Sequence, residues 1–362
     1  MPISVNAYGL KAADAKVEPL TIKRRDLLPR DVRIDIEWSG ICGTDVHIGR
    51  NDWGRSTYPV VPGHEIIGKV TEVGSEVTKH KVGDTVAVGC MVDSCRDCAE
   101  CDEDHEQQCL KGRTSTYNSP DPHLPGQMTY GGYSEQVLVD EHFVIKVPES
   151  LSSDPELLKA AAPIACAGIT TWVPLRQFNV GPGKKVGVVG LGGLGHMAVK
   201  LAVALGAEVT LITRSHAKDA DARRLGIKNV VASTSEEEMT AAARSQDLII
   251  DTVPFDHDVN VFMPLVRSFG ALVIVGHMGP LKIAPLLTPS VIMGNKTISG
   301  SLIGGIKDTQ DVFDFCGKHK VVPDVEVIKM SDVNTAWSRL DKSDVKYRFV
   351  IDINDFKKQS KA

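Results

Sequence analysis

Along the first 150 residues, apolar positions come in short runs, at 32–38, 66–73, 85–88 and 135–139. Turn sequences such as PGH, VGSEV and VGD separate them. Runs of this length, punctuated by Gly and Pro, predict an irregular antiparallel β domain. Near residue 154 the character changes, and SSDPELLKAAAPIACAGITTWVPLRQF reads as helical segments leading to the turn GPGKK. The chain then alternates. Strand KVGVVG precedes a helix over 194–205 closed by Gly206, and strand EVTLIT precedes a helix over 217–225 closed by Gly226. Strand NVVAS, a helix near 235–244, strand DLIIDTV, a helix near 258–268 and strand ALVIVG follow. Helices ended by Gly and strands written as continuous Val/Ile runs predict a parallel sheet covered on both faces, a doubly wound α/β domain. The tail closes with DVKYRFVIDI, a further strand expected to pack back on the first domain. The expected division is 1–153, with a distinct lobe at about 90–112, then 154–300, then a return segment 301–362. No internal repeat or low-complexity tract interrupts it.

Length supports two domains, since 362 residues exceed what one core usually organises. A composition of 42% hydrophobic and 24% charged residues is that of a soluble globular protein, and the net charge of -5 leaves no basic footprint for nucleic acid or an anionic membrane. MPISVNAYGLKAADAK lacks the apolar core of a signal peptide, and no apolar run approaches the roughly 20 residues of a bilayer span. A cytoplasmic protein is expected. Eight cysteines stand at 42, 90, 95, 98, 101, 109, 166 and 316, four of them crowded into 15 residues. In a long chain without an export signal, that crowding points to metal ligation in a reducing compartment.

Gly190-Leu191-Gly192-Gly193-Leu194-Gly195 is a full G-x-G-x-x-G after a strand and opening a helix. The first glycine makes the turn, Gly192 lets backbone approach a pyrophosphate, and Gly195 lets the helix pack on the strand. The second strand chooses the cofactor. An NAD enzyme usually ends it in an acid that takes the ribose hydroxyls. Here it ends Thr213-Arg214-Ser215-His216, with Lys218 beyond, and Glu208 lies at the opposite end. Arg and Lys give charge-assisted donors to a 2′-phosphate, so NADP(H) is favoured over NAD(H). Otherwise Arg214 and Lys218 are solvated surface cations.

Cys95, Cys98, Cys101 and Cys109 put four thiolates on one loop. Four sulfurs saturate a tetrahedral zinc and leave no place for substrate, so this site is expected to be structural and to order a loop with almost no apolar residues. A second set is dispersed: Cys42 in SGICGTDVH, His64 and Glu65 in PGHEIIG, and Cys166 in APIACAG. Two thiolates and one imidazole leave a zinc position open, as catalysis requires. Separately, each would read as a buried thiol or a hydrogen-bonded histidine. Cys42 and His64, however, both follow Gly-bounded turns and stand beside Asp45, His47 and Glu65.

With GICGTDVH, YPVVPGHEIIG, the four-cysteine lobe, GGYSEQV, APIACAGITT, GPGKKVGVVGLGGLGHMAVKLA, ISGSLIGG and DVKYRFVID, the chain resembles the zinc-containing medium-chain dehydrogenase/reductases. The resemblance is to the cinnamyl-alcohol-dehydrogenase-like branch, and within it to broad-range NADPH-dependent aldehyde reductases of microbes. It covers essentially the whole length and implies a GroES-like irregular β-barrel catalytic domain beside a Rossmann domain. By the resemblance, Cys42, His64 and Cys166 are catalytic zinc ligands, and Glu65 is a carboxylate able to hold the metal in turn. Thr44 supplies a hydroxyl to the reacting oxygen, Asp45 orients its neighbours, and His47 leads the proton relay to solvent. Gly193 and Leu194 belong to the dinucleotide turn, Thr213, Arg214, Ser215 and Lys218 grip the 2′-phosphate, and Ser301, Ile303 and Arg348 are further cofactor contacts. Ala165, where leucine is common, and Trp172, where tyrosine is common, are small departures. Trp53, Tyr58, Met91, Trp172 and Leu302 are expected to line an apolar substrate cleft. The implied function is reversible hydride transfer between NADPH and aromatic or medium-chain aldehydes, with two zinc ions per chain and a homodimer joined through TISGSLIGG. The alternatives are reduction of iminium or conjugated alkene groups on the same fold, and a non-enzymatic zinc-binding scaffold.

Overall fold

The structure, a computed structural model, describes residues 3–276 and 286–360. The first two residues of the amino-terminal stretch read above, residues 277–285 of the expected nucleotide domain, and the last two residues lie outside it. The chain divides into two compact units, one of residues 1–166 with 304–362 and one of residues 167–303. The division thus falls later than expected at both crossings. At the first crossing, helices Pro155–Ala161 and Ala162–Ala165 are the cause, since they pack against strands of the first unit.

The first unit is built on a seven-stranded sheet around strand Asp31–Ile41, whose alternating VRIDI segment buries Val32, Ile34 and Ile36 completely. Its antiparallel partners are Ile66–Val73 and Gln136–Asp140, and its far end also pairs with Arg348–Asp352. This last pairing explains why the strand runs past the expected residue 38: Ser39, Gly40 and Ile41 are held by Ile351, Val350 and Phe349 from the end of the chain. Val325–Lys329 adds a parallel edge strand, and helices Ile306–His319, Val333–Asp341 and Ile353–Ser360 complete the return segment. Within the lobe, Ala99–Asp102 and Glu106–Gln108 are single turns.

The second unit carries a six-stranded, wholly parallel sheet. Its spatial order is Asn229–Ala232, Glu208–Thr213, Lys185–Val189, Gln246–Asp251, Val266–Ile274, Thr297–Gly300. The first strand in sequence lies inside, with later strands added on both sides, so a crevice opens at the carboxyl ends where the order reverses. Helix Gly193–Ala204 follows the first strand directly. Three expected helices are shorter. Residues 217–225 form a 3-10 turn His216–Lys218 leading into Asp219–Arg224, and residues 235–244 only Glu236–Ala241. The helix expected near 258–268 is a 3-10 segment Val259–Leu265, with strand starting already at Val266. Pro264 inside it has no N–H to continue an α-helical ladder. No single helix among the described residues is long and apolar enough to cross a membrane.

Candidate metal centres and nucleotide site

Cys42 caps helix Gly43–Gly49, and its backbone N–H donates to Asp45 Oδ2 at 2.9 Å. Asp45, wholly buried, also accepts from Gly63 N–H at 3.1 Å and contacts His64 Nδ1 at 3.1 Å. That contact fixes the imidazole and leaves Nε2 pointing at Cys166, whose Sγ is 3.3 Å away. Cys42 and Cys166 sulfurs lie 3.9 Å apart, and one ligand atom each from Cys42, His64, Glu65 and Cys166 fall within 4.8 Å of one another. Segments 22, 1 and 101 residues apart in the chain therefore converge on one point.

The donor set fits a divalent cation. Cys42 is held well below the usual thiol range because Cys166 hydrogen-bonds to it, while Cys166, bonded to Cys42 and Cys90, is pushed well above. Adjacent sulfurs thus share charge unequally until a cation accepts both as thiolates. Burial opposes charging of His64, but Asp45 overcomes it and lifts His64 well above the ordinary imidazole range. Burial pushes Glu65 up to about 7 against the attraction of Arg348. Arg348 holds Glu65 Oε1, leaving Oε2 buried with no hydrogen-bond partner. An orphaned carboxylate oxygen beside two sulfurs and an imidazole is a place for a metal ion. Gly40 makes room for it, since a Cβ there would stand 2.0 Å from Glu65 Oε2.

The second cluster joins Cys95, Cys98, Cys101 and Cys109, again within 4.8 Å. Backbone N–H groups of Cys101 and Leu110 bring Cys98 down to about 6. Cys95 is pushed up to about 12: a backbone hydrogen bond at Asp97 works against this, but burial and the neighbouring sulfurs outweigh it. Helix Ala99–Asp102 buries no residue, and Leu110 is exposed, so little apolar packing shapes the lobe. Four converging sulfurs with no carboxylate among them fit a closed, structural zinc site.

In the second unit, the turn Gly190–Gly195 connects the first strand to its helix. Gly190 takes φ +86°, and a Cβ on Gly195 would lie 2.2 Å from Gly190 O, so only glycine permits this packing. Around Gly192 nothing stands within 4 Å of the Cβ position, leaving the helix N-terminus open to a diphosphate. Thr213 ends the second strand, with Arg214 and Ser215 exposed beyond it and no acid at the strand's carboxyl end.

Two family models match in tandem: the alcohol dehydrogenase GroES-like domain over residues 28–149 and zinc-binding dehydrogenase over residues 193–318. The chain is 48% identical to NADP-dependent alcohol dehydrogenase C 1 of Mycolicibacterium smegmatis, over 96% of this chain and 98% of that one. It is 46% identical to aldehyde reductase YahK of Escherichia coli, over 97% and 98%. A cinnamyl alcohol dehydrogenase structure from Sorghum bicolor superposes with TM-score 0.92 at 44% identity, covering 97% of this chain and 98% of that one. The chain belongs to the zinc-containing medium-chain dehydrogenase/reductases, in the cinnamyl-alcohol-dehydrogenase-like branch.

This dehydrogenase is accordingly an oxidoreductase, and its four-cysteine cluster fits the structural zinc of the family. The structure also shows groups that spacing did not reveal. The Tyr133 hydroxyl donates to Asp45 Oδ2 at 3.3 Å, and the Tyr117 ring stacks on His64 with centroids 5.8 Å apart. Cys90, with no motif around it, hydrogen-bonds Cys166 and is lowered by that bond. Arg348, expected at the cofactor, lies in the first unit with its guanidinium on Glu65. Thr44 Oγ1 lies 3.7 Å from Cys42 Sγ, and His47 Nδ1 2.7 Å from Asp52 Oδ2, its ring stacked on Trp53. Trp53 and Tyr58 are half-buried, the Tyr58 hydroxyl donating to Gly49 O at 2.9 Å. Met91 and Trp172 are buried, 3% and 4% exposed. Ser301, Leu302 and Ile303 are half-buried at the end of the nucleotide unit.

Proposed function

We infer that this enzyme is an NADP(H)-dependent alcohol dehydrogenase/aldehyde reductase acting on aromatic and medium-chain aldehydes. The observation that carries the reading is the convergence of Cys42, His64 and Cys166, three donors that leave one tetrahedral position open, with the Glu65 carboxylate beside them. The names of two relatives, an NADP-dependent alcohol dehydrogenase and an aldehyde reductase, support it. When bound, zinc supplies Lewis acidity toward a carbonyl oxygen and NADPH supplies the hydride.

The chain's own residues do the rest. Asp45 orients His64 and the backbone of Cys42, and Glu65 offers a further oxygen to the same point. Thr44, the second residue of the helix, presents its hydroxyl beside Cys42 to the substrate oxygen. His47, with its side chain 45% exposed and held by Asp52, exchanges the proton with water. Retention of Thr44 and His47 favours carbonyl reduction over iminium or alkene reduction. Gly190, Gly192, Gly193, Leu194 and Gly195 would seat the diphosphate, and Thr213, Arg214, Ser215 and Lys218 the 2′-phosphate. Trp53, Tyr58, Met91, Trp172 and Leu302 are the side chains we assign to substrate. The test is NADPH and NADH oxidation with benzaldehyde and hexanal. Turnover with NADPH well above NADH is expected, and no turnover by zinc-replete protein with any aldehyde sinks the reading.

We further assign a homodimer and a cytoplasmic location, the latter suiting eight free thiols. Among the described residues, strand Thr297–Gly300 has no partner on its outer side, and Phe269, Ile292 and Met293 near it are 78%, 72% and 87% exposed. An open edge flanked by apolar side chains needs a cover, and a second copy provides one that satisfies both edges. Light scattering should give twice the 39.1 kDa chain mass. A monomer at micromolar concentration refutes the dimer.

A further inference from the structure

The segments that follow the second and third strands of the parallel sheet lie side by side, with Thr213 in register with Ala232. They are fastened together beyond the strands. Ser233 N–H donates to Thr213 O at 2.7 Å, the Thr234 hydroxyl to Arg214 O at 2.7 Å, and Ala232 N–H to Glu238 Oε2 at 2.8 Å. His216 stands across this junction. Its Nε2 is 3.0 Å from Glu238 Oε1 and its Nδ1 3.1 Å from Asp219 Oδ1. Carboxylates accept only, so the ring can donate to both only when both nitrogens carry protons. The hydrogen bonds to Glu238 first and Asp219 second raise its pKa above the ordinary imidazole value.

The charges facing this ring are mixed. Its own turn and the residues before it carry Arg214 and Lys218. Helix Asp219–Arg224 brings Asp219, Asp221, Arg223 and Arg224, with Arg223 4.0 Å from Asp219. Helix Glu236–Ala241 brings Glu236, Glu237 and Glu238 in its first turn. Without a cation between them, Glu238 and Asp219 would set two carboxylates beside the loop that carries Thr213, Arg214 and Lys218.

We propose that His216 is a specificity-determining residue for the phosphorylated cofactor: shared as an imidazolium between Glu238 and Asp219, it offsets one of the two negative charges bordering the 2′-phosphate loop. This rests on the NADP(H) reading above and adds to it a residue that need not touch the phosphate. A dianionic phosphate feels two uncovered carboxylates strongly, whereas an unphosphorylated ribose does not. Added salt weakens the effect, because the site is exposed. The sign with pH follows from the raised pKa. The positive charge of the ring is fully present below the imidazole pKa and is lost as pH rises through it, so the preference for the phosphorylated cofactor declines on the alkaline side.

The test uses 2′,5′-ADP and AMP as probes, titrated calorimetrically into the zinc-replete enzyme. His216→Ala should weaken 2′,5′-ADP by about three- to tenfold and leave AMP within about twofold. The double variant His216→Ala/Glu238→Gln should recover most of the loss, because the amide still accepts from Ala232 N–H and carries no charge. Equal weakening of both probes, no weakening of 2′,5′-ADP, or no recovery in the double variant overturns the proposal. Thermal unfolding checks that each variant is folded. If the unaltered enzyme does not prefer 2′,5′-ADP, or Arg214→Asp weakens both probes equally, the cofactor reading itself fails. A wild-type preference that His216→Ala leaves intact removes only this inference.

Discussion

An enzyme carrying His64→Ala is expected to keep one zinc per chain where the unaltered protein holds two, and to lose aldehyde reduction almost completely. His64 is 4% exposed, with Nδ1 on Asp45 and Nε2 aimed at Cys166. Alanine removes a metal donor and also leaves the buried Asp45 carboxylate short of one of its partners, so nothing nearby can stand in. Losing an outer partner of a metal ligand already lowers affinity or activity by about 10- to 100-fold, and losing the ligand should exceed the upper figure. Zinc counting by mass spectrometry and kcat/KM with benzaldehyde read the two effects. NADPH binding, followed by fluorescence, should persist, because the glycine-rich turn belongs to the other unit. Near-normal turnover, or loss of both zinc ions, would contradict the assignment.

Cys101→Ser should act on stability instead of chemistry. The lobe has a four-residue helix with no buried residue and a three-residue 3-10 turn, neither able to hold itself without support. Arg96 ties it to Asp140 at 2.7 Å, and Glu106 ties it to His142 at 2.6 Å and to the N–H of Ile306 at 3.0 Å. These bonds tie two points between Cys95 and Cys109 to the rest of the first unit, and a shared metal would hold the four sulfurs together. Removing one sulfur should therefore drop one zinc, make residues 95–109 the first site of protease cleavage, and lower Tm by about 10 °C or more. The remaining zinc and the KM for aldehyde should change little. A protease-resistant lobe and an unchanged Tm would show that the sulfurs do not share an ion.

Much of this protein could be read along the chain because its signals are local. The four sulfurs of the lobe lie within 15 residues, and the glycines at 190, 192 and 195 sit between one strand and one helix, where each has a backbone reason. The parallel sheet announced itself because strands buried on both faces are written as unbroken Val/Ile runs. Element ends were less legible. The helix expected near 258–268 became a 3-10 segment through Pro264, and the strand from Asp31 ran on to Ile41 only because a strand more than 300 residues later lies against it. The catalytic cluster is intermediate: its residue types and neighbours were visible, but that Cys42, His64 and Cys166 meet within a few ångströms is a property of the closed first unit. The partners of those ligands, and the surroundings of the nucleotide loop, were invisible in sequence. Arg348 on Glu65, Tyr133 on Asp45, Cys90 beside Cys166 and His216 between two carboxylates are all contacts between distant or unpatterned positions. The chain by itself pointed to candidate groups for metal and dinucleotide, since that chemistry needs particular residue types at particular spacings. Only the tertiary structure decided what charges and hydrogen bonds surround them, because those depend on which side chains the fold brings together in space.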